Sequence, residues 1–93
     1  MFNVTVTYPA AEYLDQMLAE NDVPVAVVVR MVLKDDAISF VEDKMRSGDQ
    51  TFTHGTRIVL VLDEEMSQLL ANQTLDIKYT DDGADLELKS TGE

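Results

Sequence analysis

Few residues of this 93-residue chain are equipped for chemistry. Acids cluster at Asp35-Asp36, Glu42-Asp43, Asp63-Glu64-Glu65 and Asp81-Asp82. One histidine, His54, sits between Thr53 and Gly55, and one arginine, Arg30, interrupts the apolar run V-V-V-R-M-V-L. Calcium or magnesium needs several carboxylate or carbonyl oxygens, so Asp35, Asp36, Glu42 and Asp43 are the set from which such a site would be built. Adjacent aspartates of a strand point to opposite sides, however, and the spacing is not that of an EF-hand. A solvated turn at Asp35-Asp36 is the simpler expectation.

His54 cannot assemble a transition-metal site unaided, and it has no serine or cysteine nucleophile partner in sequence. It is expected in an exposed turn, with a ligand shared across a dimer as the alternative. Ser39, Ser47 and Ser67 lack the G-x-S-x-G context of a nucleophile elbow, so no catalytic residue is assigned. Arg30 is the more informative charge. If buried, its guanidinium needs an acid partner, for which Asp76 or the acids at 63–65 are the candidates; if it lies on an open face, it contacts a partner protein.

Composition narrows the field further. The chain has no cysteine, which removes disulfides, thiolate nucleophiles and thiolate metal ligands together. Its net charge of −11 repels phosphate and anionic lipid, which argues against direct nucleic-acid or membrane binding. The longest apolar run, residues 25–29, is far below the roughly 18 to 20 residues of a membrane span, and the N-terminus shows no basic segment followed by an apolar one. A single cytoplasmic domain covering residues 1–93 is expected, with no bound cofactor.

These residues must be held by a small set of elements. Phe2, Val4 and Val6 alternate with polar residues and predict a strand over 2–6. Thr7 caps a helix over about 8–20, with Pro9 in its first turn and Ala10, Leu14, Met17 and Leu18 as its apolar stripe. Residues 25–33 are apolar on both alternating sets except for Arg30, which predicts a central strand covered on both faces. A shorter strand follows at 38–41, then a connection at 44–50, a T-H-G-T turn ending at Thr56, and a strand at 57–62. Asp63 caps a short helix over 64–71. Leu75, Ile77 and Tyr79 alternate in the next strand, Asp81-Asp82-Gly83 turns the chain, and Leu86 and Leu88 lie on the return. Phe40, Phe52, Tyr13 and Tyr79 are expected in or beside the core, and residues 90–93 are expected to fray.

This order resembles the HesB/IscA family, the A-type iron-sulfur cluster carriers. The resemblance runs over residues 4–77, through V-T-V-T-Y-P-A-A-E-Y-L-D-Q-M-L, V-V-V-R-M-V-L, G-D-Q-T-F-T-H-G leading into R-I-V-L-V-L-D, and L-L-A-N-Q-T-L-D-I. It implies an α+β fold, mainly β: a HesB-like pseudo-barrel or β-sandwich with one long N-terminal helix and a short second helix. The family carries its cluster on cysteines in a G-G-C-S-G loop after the central strand and in a later C-G-C motif. Here those places hold Lys34-Asp35-Asp36-Ala37 and G-A-D-L-E-L-K-S. Asn72 replaces a family glycine, and the segment from Phe52 to Asp63 is one residue longer than the family pattern.

On this resemblance the chain is a degenerate, cluster-less relative of the carriers that acts through a protein partner, and Asp35, Asp36, Arg30 and His54 are the interaction residues to examine. The rival readings are a carboxylate-based metal binder and an acidic decoy that mimics nucleic acid. A decoy should present acids in rows on one face, whereas these acids fall on nearly every element.

Overall fold

The structure, a computed structural model, describes residues 4–90; the expectations at Phe2 and at residues 91–93 lie outside the described residues. Nine elements follow one another: β1 (Val4–Val6), α1 (Tyr8–Glu20), β2 (Val27–Lys34), β3 (Ala37–Lys44), β4 (Gln50–His54), β5 (Arg57–Leu62), α2 (Glu64–Leu69), β6 (Gln73–Thr80) and β7 (Gly83–Ser90). The strands form two sheets, β3-β2-β5-β4 and β1-β6-β7. β2 runs parallel to β5 and β1 parallel to β6, while the hairpins β2-β3, β4-β5 and β6-β7 are antiparallel. The architecture is the mainly β, α+β arrangement expected from the sequence.

Local signals set the helices. Thr7 has extended backbone, and its hydroxyl oxygen accepts the N–H of Ala10 at 3.3 Å, satisfying one of the amides that a helix start leaves free. Asn21 ends α1, and the chain escapes through Asp22 in the left-handed region at φ 54°. Ala10, Ala11, Leu14 and Leu18 form the buried side of α1 and pack with Val29, Met31, Val59, Leu60, Leu62, Leu75 and Ile77 into one core between the sheets. Asp63 caps α2 by accepting the N–H of Met66 at 2.8 Å, and Asn72 leaves the helix at φ 64°, a conformation Asn tolerates better than most residues.

Val28, Val29, Arg30 and Met31 are consecutively buried, as a strand covered on both faces requires. Two ends of the predicted central strand differ. Val25 belongs to the preceding turn and is 79% exposed, and Leu33 is half exposed at the far end. The T-H-G-T segment is no simple turn: its first half completes strand β4, and only Gly55-Thr56 forms the loop. Between Phe52 and Thr53 the β4-β5 register jumps from Leu60 to Ile58, leaving Val59 as an additional residue in β5. A bulge of this kind accommodates one extra residue while the ladder continues on both sides.

Candidate functional site

Arg30 is the one charged side chain buried within β2, and its surroundings account for its donors. Nε donates to Asp43 Oδ2 at 2.9 Å, Nη1 to Asp49 Oδ1 at 3.0 Å, and Nη2 to Asp49 Oδ2 at 2.7 Å and to the Lys44 carbonyl at 3.0 Å. The two parallel bonds to Asp49 are the bidentate geometry that a planar guanidinium favours. Arg46 adds its backbone N–H to Asp49 Oδ2 and its side chain to Asp43 Oδ2. The connection from Lys44 to Asp49 is thereby held over the face of the sheet that points away from α1. The hydrogen bonds from Arg30 hold the Asp49 carboxyl below the ordinary carboxylate range, and the Lys44 amide followed by Arg30 does the same for Asp43.

The partners expected for Arg30 were different. Asp76 instead accepts the hydroxyl of Thr7 at 2.8 Å, the N–H of Ile77 at 2.7 Å and the ammonium of Lys89 at 3.2 Å, and so ties α1's cap to the β6-β7 hairpin. Asp63 serves as a helix cap. The structural role of Arg30 stands, with Asp43 and Asp49 in place of the acids proposed from sequence.

Asp35 and Asp36 are the whole of the β2-β3 connection. Lys34 pairs with Ala37, so two residues close the hairpin, and both have positive φ, 53° and 65°. This is the backbone signature of a type I′ turn, whose twist matches that of the flanking strands. Both aspartates are exposed. Glu42 and Asp43 lie six or seven residues along β3, roughly 20 Å away at about 3.3 Å per residue, so the four carboxylates do not converge. Glu42 accepts the side-chain amide of Asn21 at 3.0 Å, and Asp43 belongs to the Arg30 network. Among the described residues no group of three or more His, Cys, Asp or Glu is placed to hold a metal ion.

His54 departs from expectation. It ends β4 opposite Arg57 and retains only 20% side-chain exposure. Its Nδ1 lies 2.7 Å from Asp15 Oδ2 on α1, and its ring lies 5.1 Å from that of Tyr8. Arg57 approaches the other oxygen of Asp15 at 3.9 Å. His54 therefore fastens the β4-β5 hairpin to α1, because the pleat directs the side chains of the 54–57 pair onto the helix. Tyr79, expected beside the core, is 78% exposed; Tyr13, Phe40 and Phe52 are half-buried against the core.

One surface feature was not anticipated. Val32, Leu33, Asp63, Glu65, Met66, Gln68 and Leu69 line a groove of about 560 Å³ between the end of β2 and α2. Leu33 and Leu69 are 50% and 53% exposed. The apolar pattern of the second helix predicts Met66, Leu69 and Leu70 on its buried side; Met66 and Leu70 are buried, and Leu69 is not.

No family model matches the sequence, and no curated protein sequence matches it. Solved structures do share its fold. The chain superposes on Escherichia coli SufA, described as involved in biosynthesis of iron-sulfur clusters, with a TM-score of 0.71 at 18% identity over 97% of this chain and 88% of that one. It also superposes on IscA with a [2Fe-2S] cluster, with a TM-score of 0.64 at 10% identity over 95% of this chain and 85% of that one. The fold is that of the HesB/IscA type. Among the described residues no helix is long and apolar enough to cross a membrane.

Proposed function

We propose that the protein is a non-catalytic, cluster-less counterpart of the A-type carriers, acting through protein contacts in iron-sulfur cluster biogenesis. The observation that carries the reading is the β2-β3 connection. In a chain with the carrier fold, a two-residue turn of aspartates stands where the sequence resemblance expects a cysteine-bearing loop. An iron-sulfur cluster does not fit these residues: it is held chiefly by thiolates, the chain has none, and the exposed turn carboxylates are not joined by other donors. No step of cluster chemistry is therefore assigned to this chain, and what remains is an acidic domain of the carrier fold. The carboxylate-metal reading loses its four-residue set to the separation along β3.

Affinity isolation of the tagged protein from its native host after mild cross-linking, with mass spectrometry, tests the contact half of the reading. Enrichment of iron-sulfur assembly proteins or of cluster-dependent enzymes is expected. Recovery of the bait alone, or of partners unrelated to iron-sulfur proteins, contradicts it.

A further inference from the structure

Resting on the reading that the protein works through protein contacts, we infer that the groove between β2 and α2 is the docking site, and that its occupant is a positively charged peptide segment of the partner bearing one or two large apolar side chains. The floor is apolar: Val32, Met66 and the half-exposed Leu33 and Leu69. Exposed leucines gathered in a concavity, as distinct from scattered singly, are the usual mark of a contact surface. The rim is acidic. Asp63 and Glu65 line the groove, and no lysine or arginine is among its lining residues. An apolar floor within an acidic rim selects an occupant with apolar anchors and flanking lysines or arginines, because interface potentials are complementary and like charges facing each other are costly.

The same rim argues against a second copy. A symmetric contact through this groove would set Asp63 and Glu65 against themselves in a chain already at −11. Another groove of similar size, lined by Tyr13, Met17, Phe40 and Leu86 with Lys78, Asp85 and Glu87, mixes both signs and makes no comparable selection.

The test uses a fluorescein-labelled synthetic peptide alternating lysines with leucines, and matched peptides with serine for leucine or glutamate for lysine. Anisotropy should show that the lysine-leucine peptide binds, that both control peptides bind at least about tenfold more weakly, and that the double variant Leu33→Ser, Leu69→Ser loses about tenfold, as truncation of an apolar anchor does. Glu65→Lys should weaken binding more than Asp82→Lys, which changes the net charge equally at the β6-β7 turn. Amide chemical shifts of the unaltered protein, which depend on no variant folding, should move at residues 32–33 and 63–69.

Unchanged affinity of the leucine variant, shifts centred on residues 81–87, or a self-associated chain that the leucine variant dissociates each overturns the proposal. Repeating the host isolation separates it from the broader reading. Partners retained by the leucine variant leave protein contact standing and remove the groove. Peptide binding confined to the groove without any host partner leaves the groove standing and removes the broader reading.

Discussion

Arg30 on β2 and Asp49 before β4 face each other through two parallel hydrogen bonds of 3.0 and 2.7 Å, with 4% and 3% of their side chains exposed. A pair so sequestered is weak evidence of net stability, but breaking it from one side removes one of the two carboxylates that face Arg30 and leaves Asp43 as its remaining counterion. Asp49→Asn should therefore cost about 1.5 to 3 kcal/mol in urea unfolding. Combining it with Arg30→Met should cost clearly less than the sum of the two single changes, because the residues share one network. Additive losses would mean that the pair is not coupled in solution.

The same network fixes the response to acid. The folded-state pKa values of Asp43 and Asp49 are both lowered, so their contribution is fully present above the unfolded carboxylate value, about 3.9, and disappears as pH falls through the folded values. Melting temperature should hold between neutrality and about pH 5 and fall below about pH 4, with a shallower fall in Asp49→Asn. Equal slopes for the two proteins would remove Asp49 from the account.

At the hairpin tip the two aspartates occupy left-handed backbone that favours Asn and Gly. Changing Asp35 to Asn and Asp36 to Gly should stabilise the protein by about 1 kcal/mol, measured by chemical unfolding, since each replacement suits the turn better and two acids are removed. A loss of stability would show that the carboxylates themselves hold the turn.

A net charge of −11 opposes the compact state, whereas the buried Arg30 pairs are screened little by salt. Raising sodium chloride from low to physiological concentration should raise the melting temperature, with the gain levelling off as the screening length approaches about 8 Å. A falling melting temperature would mean that exposed ion pairs such as Lys89 with Asp76 and Glu87 outweigh the repulsion.

What the sequence made legible was local. The Thr7 and Asp63 caps, the buried run in β2 and the turn at Asp81-Asp82 all depend on chemistry within a few residues, and the structure has each of them. The partners of Arg30 were not legible, because Asp43 is set beside it by the β2-β3 register and Asp49 reaches it only when the connection before β4 folds back over the sheet. His54 was misplaced for a related reason. It stands beside a Gly-containing turn, yet the pleat of β4 directs it onto Asp15, which is 39 positions away in the chain. The exposure of Leu33 and Leu69 was equally hidden, since it is set by where β2 runs past α2 and not by the apolar pattern of either.

The most direct test of the central claim is anaerobic incubation of the purified protein with ferrous iron, sulfide and a thiol reductant, followed by desalting and assay of absorption, iron and labile sulfide per chain. A colourless protein with no charge-transfer bands and no bound iron or sulfide above background is expected. A stable cluster in stoichiometric ratio to the chain or its dimer would contradict it.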